Sequence, residues 1–181
     1  MPDVAIILGS ESDWEKRVKG KGLTETLDKI GLSWAVSPQI SAHRHPDVLA
    51  EYCEKTEAKV IIAAAGLSAA LPGAISGHVL NSNPRLQLLV GVALTAGSFG
   101  AIDSLMSQIS MPPGVPIAFA GADGPGLTNA AIIAAQAIAT DNPVLQYRIR
   151  SYVVAARAKK PPMVDTFVSG SADPKPKKLD Q

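Results

Sequence analysis

The chain has 181 residues, a formal net charge of +1 at pH 7 and one cysteine. This length suits one folded domain with a sizeable core. The near-zero charge gives no field that would attract nucleic acid or an anionic membrane, and one cysteine excludes an intrachain disulfide.

The distribution of apolar residues gives no sign of a secretion signal or a membrane helix. Residues 1–4 have no basic lead and no apolar core. The longest weakly polar stretch, 60–75, is interrupted by Gly66, Pro72 and Gly73 and is shorter than the roughly 20 residues that a membrane helix needs. We therefore expect a soluble, cytoplasmic protein. Aromatic residues make up only 4% of the chain, which limits the area that each residue can bury and favours oligomerisation.

Short apolar runs alternate with helix-like stretches along the chain. Five runs are continuously apolar or nearly so, as in buried parallel strands: 4–8, 33–37, 59–65, 86–94 and 115–120. Helices are predicted over 10–31 and 46–57, then in a short segment ending near Leu80, and then over 99–110, 128–140 and 144–159, with a glycine-rich loop at 121–126. This alternation predicts one α/β domain over 1–160, with a parallel sheet and helices on both faces. The tail, 161–181, is expected to be mobile or to pack on a neighbouring subunit.

The loops that follow the strands are the candidate binding segments, because parallel sheets bind ligands at the carboxyl ends of their strands. In the first loop Gly9 permits a sharp turn, Ser10 and Ser12 offer hydroxyl groups at a helix start, and Asp13 suits ribose hydroxyls. These residues fit an anion site and a plain helix cap equally well. The spacing matches neither the dinucleotide fingerprint nor a P-loop.

The second loop gives the stronger signal. It places a hydroxyl, two imidazoles and a guanidinium within five residues, from Ser41 to His45. His43 suits proton transfer near neutral pH, and Arg44 can bind a phosphate through two parallel hydrogen bonds. His45 precedes Pro46, which favours an extended backbone, so we expect it to have a structural or peripheral role.

Three other kinds of site are not favoured by the pattern: a metal site, a role for His78 and a nucleophilic cysteine. The two loop histidines are spaced i, i+2 with no nearby carboxylate pair, which is poor metal-ligand spacing, so we expect no metal site. His78 is isolated and is predicted on a helix face. Cys53 has no basic neighbour on its N-terminal side, so we expect a partly buried thiol and not a nucleophile.

Several motifs together resemble the aminoimidazole ribonucleotide carboxylase family of purine biosynthesis. They follow in the family's order over roughly residues 4–155: Gly9-Ser10-Glu11-Ser12-Asp13-Trp14, Ser41-Ala42-His43-Arg44-His45-Pro46-Asp47, Ala69-Ala70-Leu71-Pro72-Gly73, Asp103-Ser104-Leu105, Met111-Pro112-Pro113-Gly114-Val115-Pro116, Asn129-Ala130-Ala131 and Ala134-Ala135-Gln136. The resemblance implies a flavodoxin-like three-layer α/β/α sandwich, a homo-octamer with sites between subunits, and no metal or organic cofactor. It also implies the reaction, which places a carboxylate on C4 of the aminoimidazole ribonucleotide.

The resemblance further implies a role for each candidate residue. His43 would be the catalytic proton carrier, Arg44 and Ser10 would lie near the substrate phosphate, and Asp13 would bind the ribose. The turn at 66–73 would wall the CO2 pocket with small residues. The implied substrate-binding set is Ser10, Ser12, Asp13, Ser41, Arg44, Gly66, Ser68, Ala70 and Leu71.

One departure from the family pattern concerns the carboxyl donor. The mutase branch, which moves the carboxylate from N5 to C4 of one substrate, has histidine before Leu-Pro-Gly, where this chain has Ala70. The turn Gly66-Leu67-Ser68 echoes the carboxylase branch, which uses free CO2, while Arg44, Pro46 and the Met-Pro-x-Gly-x-Pro segment resemble the mutase. We favour the mutase. Direct carboxylation, a paralogue with another substrate and a non-catalytic nucleotide-binding module stay open as alternatives.

Overall fold

The computed structural model describes residues 1–158, and the predicted tail at 161–181 and the last residue of the predicted final helix lie outside them. Five parallel strands form one sheet, in the order β2-β1-β3-β4-β5. Their bounds are Val4–Leu8 (β1), Trp34–Ser37 (β2), Val60–Ala65 (β3), Leu88–Ala93 (β4) and Ala118–Ala122 (β5). This is the flavodoxin strand order, so the predicted fold is confirmed.

The helices cover both faces of the sheet. Their bounds are Glu11–Asp13 (α1), Leu23–Ile30 (α2), Pro46–Lys55 (α3), Ala70–Ser82 (α4), Ile102–Ile109 (α5), Asp123–Ile138 (α6) and Pro143–Ala158 (α7), with a π-helical turn at Trp14–Val18 directly after α1. The side chains of Val4, Ile6 and Leu8 pack with α2, α6 and α7, while Ala5 and Ile7 pack with α3 and α4. β1 is therefore buried on both faces, which explains its continuously apolar sequence.

The strand register aligns the carboxyl ends of neighbouring strands. Leu8 of β1 lies opposite Ala64 of β3, and Ala65 of β3 lies opposite Ala93 of β4. The loops that follow these strands therefore emerge at one edge of the sheet. In this strand order β2 lies on one side of β1 and the later strands lie on the other side, so the order of strand addition reverses between β1 and β3. Folds of this kind bind ligands at that point.

The predicted continuous helix over 10–31 is wrong, because the helical path breaks between the π-helical turn and α2. Lys19 adopts an extended conformation, and Gly20 and Gly22 have φ angles of +70° and +103°. A side chain at Gly22 would collide with the hydroxyl of Thr128, so glycine is required there for space as well as for conformation. The break lets the π-helical turn and α2 pack separately against α6.

The predicted glycine-rich loop at 121–126 is also wrong. Helix α6 begins at Asp123, so most of that segment forms the first turn of a helix. Gly126 fits there because a Cβ atom on it would lie 2.5 Å from the carbonyl carbon of Gly121. The glycines allow the backbone at the end of β5 to pass close to the first turn of α6. The fifth strand is correspondingly displaced, from the predicted 115–120 to Ala118–Ala122.

Smaller corrections concern two other helices. α5 begins at Ile102 rather than at residue 99, and α4 continues to Ser82 rather than ending near Leu80.

None of the helices within residues 1–158 has the length and apolar character that a membrane span requires.

The thiol of Cys53 is fully buried on the inner face of α3. Burial raises the pKa of Cys53 to about 11, because the charged thiolate is poorly solvated there. The sequence predicted a partly buried thiol, and the structure buries this side chain completely.

Candidate functional site

A cleft of about 680 Å³ opens at the carboxyl ends of β1, β2, β3 and β4. All ten site residues predicted from the sequence line it: Ser10, Ser12, Asp13, Ser41, His43, Arg44, Gly66, Ser68, Ala70 and Leu71. The strand register explains why they meet, since each lies in a loop, or at the start of the helix after it, that follows a strand at the same edge of the sheet. Their roles in binding and catalysis stay predictions.

The loop after β1 is organised around the hydroxyl of Ser10. Ser10 is the N-cap of α1, and its Oγ accepts a hydrogen bond from the backbone N–H of Asp13 at 3.2 Å. The same hydroxyl donates to Oδ2 of Asp13 at 2.8 Å and lies 3.1 Å from Oγ of Ser12. These bonds hold two hydroxyls and a carboxylate at the cleft wall, an arrangement suited to a polyhydroxylated ligand.

The loop after β2 is tied to the first loop by an arginine. One terminal nitrogen of Arg44 donates to the carbonyl oxygen of Gly9 at 2.9 Å, and the backbone N–H of Arg44 donates to Oγ of Ser41 at 3.4 Å. Ser41 is buried, whereas the side chain of His43 is exposed on the cleft surface. An imidazole and a guanidinium therefore face the cleft from a loop whose base is fixed.

The segment from Gly66 to Leu71 forms another wall and carries backbone strain. Leu67 and Ala69 have φ angles of +56° and +31°, which side-chain-bearing residues rarely adopt. Such conformations cost about 1–3 kcal/mol each and persist where the surrounding structure holds them. A Cβ atom on Gly66 would lie 2.6 Å from that of Ala96, so only glycine fits between this wall and the loop after β4.

Two parts of the cleft were not predicted from the sequence: Arg17, and the loop after β4, which lines the cleft through Ala96 and Gly97. Arg17 forms an ion pair with Asp13, with 2.8 Å between a terminal nitrogen and Oδ1. The i, i+4 spacing of the two residues was a usable signal for this pair. No local signal pointed to the loop after β4, because it reaches the cleft only through the pairing of β4 with β3.

The other two histidines, His45 and His78, do not line the cleft as His43 does. Nδ1 of His45 accepts a hydrogen bond from the backbone N–H of Ser41, which agrees with the structural role predicted for it. His78 is half-buried on α4 and does not line the cleft. In the part of the chain that the structure describes, no group of three or more His, Cys, Asp or Glu side chains is placed to hold a metal ion.

Comparison with known proteins gives consistent matches over most of the chain. The family model described as AIR carboxylase matches residues 3–159. N5-carboxyaminoimidazole ribonucleotide mutase from Vibrio cholerae is 36% identical over 160 residues, covering 87% of this chain and 91% of the relative. The enzymes of the same name from Bacillus subtilis and Pseudomonas aeruginosa are 37% and 34% identical, over 75% and 82% of this chain and 79% and 87% of their own lengths.

A solved structure supports the same relationship. The crystal structure of Treponema denticola PurE superposes with a TM-score of 0.69 at 26% sequence identity, covering 86% of this chain and 92% of that protein.

Proposed function

The chain belongs to the AIR carboxylase family, AIR being aminoimidazole ribonucleotide, and we propose on this basis that it is an N5-carboxyaminoimidazole ribonucleotide mutase. This isomerase of purine biosynthesis would move a carboxylate from N5 to C4 of its substrate and so form 4-carboxy-5-aminoimidazole ribonucleotide. One observation supports the proposal most: the bond from Arg44 to the carbonyl of Gly9 joins the two loops that carry the predicted proton carrier and the predicted phosphate ligands.

The polar groups of the cleft suggest how the ribonucleotide is oriented. Arg44 and Ser10 bind the phosphate, since a guanidinium can pair with two phosphate oxygens, and the hydroxyl of Ser10 can donate to a third when it rotates away from Asp13. Asp13 accepts hydrogen bonds from ribose hydroxyls. Ser12, Ser41 and Ser68 complete the polar lining. The small wall at Gly66 and Ala70, together with Leu71, lets the flat imidazole ring and a CO2 molecule lie close to the backbone.

His43 carries the proton that the isomerisation needs. When the N5–carboxylate bond breaks, CO2 leaves and N5 must gain a proton. When C4 attacks that CO2, the new C4–carboxylate bond forms and C4 must lose its proton. A protonated His43 that first donates to N5 and then accepts from C4 returns to its starting state, so no proton is exchanged with solvent over a full cycle.

The alanine at position 70 is compatible with a second carboxyl donor, free CO2. The mutase branch has histidine at this position, and the methyl group of Ala70 leaves room in the cleft that an imidazole would fill. In the alternative reaction, a lyase-type carboxylation, free CO2 enters that space, C4 attacks it, and His43 passes the C4 proton to solvent.

An assay with two donors distinguishes these reactions. The enzyme receives either the N5-carboxylated ribonucleotide or the bare aminoimidazole ribonucleotide with bicarbonate, and formation of the C4-carboxylated product is followed. We expect product from the N5-carboxylated substrate. Product from the bicarbonate mixture alone would identify a carboxylase, and nucleotide binding without product from either would identify a non-catalytic binding module.

We also propose that the chain assembles as a homo-octamer. Four apolar side chains on and just before α5 are exposed in the single chain: Phe99 at 73%, Ile102 at 67%, Met106 at 50% and Ile109 at 53%. Their spacing of three and four residues forms one strip along the helix, which we call the α5 strip. Water-exposed strips of this kind mark protein contacts. A second copy of this chain is the partner that the family relationship favours at this strip.

We also propose a cytoplasmic location. It is supported by the phosphorylated substrate, which does not cross membranes unaided.

A further inference from the structure

Arg17 is a second arginine in the cleft, and the roles proposed above for phosphate, ribose and proton transfer do not involve it. It lies on the π-helical turn after α1, and its side chain is 31% exposed while that of Asp13 is 15% exposed. Both side chains line the cleft. An arginine that only balanced a surface charge would not need to face a ligand cleft.

The guanidinium of Arg17 is fixed at two points. Its Nε donates to the carbonyl oxygen of Thr95, in the loop after β4, at 2.7 Å, and one terminal nitrogen pairs with Asp13. Thr95 is itself held by the carboxylate of Asp123 at the start of α6, which accepts from the backbone N–H at 2.9 Å and from the side-chain hydroxyl at 2.5 Å. A guanidinium has five N–H donors, and these bonds use two of them. Among residues 1–158 the other three have no hydrogen-bond partner, so Arg17 holds a fixed orientation with donors left for a ligand.

The order of the loops along the cleft suggests which part of a ribonucleotide lies near Arg17. The loops that line the cleft follow the strand order β2-β1-β3-β4. Arg44 follows β2, Ser10 and Asp13 follow β1, and Arg17 reaches over to the backbone of Thr95 after β4. A substrate whose phosphate lies at Arg44 and whose ribose lies at Asp13 can therefore place its base between Arg17 and the exposed His43, which line the same cleft.

We propose that Arg17 binds the carboxylate of the carboxylated ribonucleotide, while Arg44 binds its phosphate. This inference rests on the proposed function. The N5 atom is attached to C5, which is bonded to C4, so one guanidinium can hold the carboxylate both before and after its transfer. The cation also offsets the charge of Asp13, which would otherwise repel a carboxylated base. The site thus selects a ligand with two separated anionic groups, a phosphate and a carboxylate.

The test compares two nucleotides that differ in one group. The probes are 4-carboxy-5-aminoimidazole ribonucleotide and the corresponding 4-carboxamide, which has the same shape without the charge. Their affinities are measured by titration calorimetry for the wild type and for Arg17→Met, which keeps the side-chain length. A charge-assisted hydrogen bond is worth about 1.5–3 kcal/mol, so we expect Arg17→Met to weaken carboxylate binding by about tenfold to a hundredfold. Carboxamide binding should change by less than about threefold.

Three further variants separate carboxylate binding from other effects. Arg17→Lys should recover part of the preference for the carboxylate. Arg44→Met should weaken both nucleotides equally, because they share the phosphate. Lys16→Met removes one exposed positive charge from the same turn and should leave both affinities unchanged.

Two results would overturn the inference, and they differ from each other. If Arg17→Met weakens both nucleotides by the same factor, Arg17 acts on the shared phosphoribosyl part or only through Asp13. If the wild type binds neither nucleotide, the proposed function itself fails, and the assignment of Arg17 fails with it.

Discussion

The backbone N–H of Ser41 donates a hydrogen bond to Nδ1 of His45 across 3.3 Å, so the second histidine of the loop closes the loop on itself. His45 is also the N-cap residue of α3, directly before Pro46. His43, two residues earlier, is exposed on the cleft surface. Two histidines that look equivalent in sequence therefore have opposite environments, one bonded to backbone and the other available to a ligand.

The same substitution at the two histidines should give different results. His43→Asn removes the proposed proton carrier, and we expect the turnover number to fall by about 10²- to 10⁴-fold. His45→Asn keeps a side-chain oxygen that can accept from Ser41 and can cap a helix, so we expect turnover within about tenfold of the wild type. Steady-state kinetics on the N5-carboxylated substrate measures both. Circular dichroism should show both variants folded, and a fully active His43→Asn enzyme would refute the catalytic assignment.

Glycine is required at Gly66 for space, and a second glycine provides the control. A Cβ atom on Gly66 would lie 2.6 Å from Cβ of Ala96 and 3.0 Å from the carbonyl oxygen of Leu94. We expect Gly66→Ala to lower the free energy of unfolding by about 1–3 kcal/mol and to weaken substrate binding, because the cleft wall must move. A Cβ atom on Gly77, inside α4, would have no atom of another part of the fold within 4 Å. Gly77→Ala should therefore raise stability by about 0.5–1 kcal/mol. Urea denaturation compares the two variants, and equal effects would contradict the packing argument.

The thiol of Cys53 should be unreactive while the protein is folded. Burial raises its pKa to about 11 from an ordinary value of 9.0, so the thiolate that attacks alkylating and disulfide reagents is scarce at neutral pH. We expect a thiol-specific disulfide reagent to label no cysteine at pH 8 in buffer and one cysteine in denaturant. Rapid labelling of the native protein would show that α3 opens readily.

The same pKa shift predicts how stability changes in alkali. Above about pH 9 the unfolded chain loses the thiol proton while the folded chain keeps it, so the unfolded state binds fewer protons. The contribution of Cys53 to stability is therefore complete below pH 9 and falls as the pH rises from 9 towards 11. Denaturation of the wild type and Cys53→Ala at pH 8 and pH 10 measures this, and the wild type should lose more stability between the two pH values than the variant.

A charge in the α5 strip should disrupt assembly. Met106 is half exposed in the single chain and lies at the middle of the strip. Burying a lysine ammonium without a partner is strongly unfavourable, so Met106→Lys should shift the protein to smaller species in analytical ultracentrifugation. Gln136→Lys places the same charge on the exposed side of α6 and should leave the assembly unchanged. An unaltered octamer in Met106→Lys would place the contact between subunits elsewhere, and a wild-type monomer would refute the octamer proposal.

The sequence predicted the strands better than the helix boundaries. Buried parallel strands are marked by continuous apolar runs, as in Val4–Leu8 and Val60–Ala65, and this pattern is local. The glycines led to two opposite errors in the predicted helices. Gly20 and Gly22 were expected only to weaken a helix that in fact breaks there, while Gly124 and Gly126 were expected in a loop and lie within α6. Whether a glycine ends a helix depends on neighbouring elements that the local sequence does not contain.

By itself the sequence determined the strand and loop pattern, the polar side chains that follow β1 and β2, and the family to which the chain belongs. Each of these depends on residues that are close together along the chain. Only the tertiary structure decided that Arg17 bonds to Thr95 and that Thr95 is held by Asp123, since these contacts span 78 and 28 residues. The pairing of β3 with β4 and the packing of the π-helical turn against α6 bring them together. The side chain that we assign to the substrate carboxylate was therefore visible in the sequence only as one member of an i, i+4 pair.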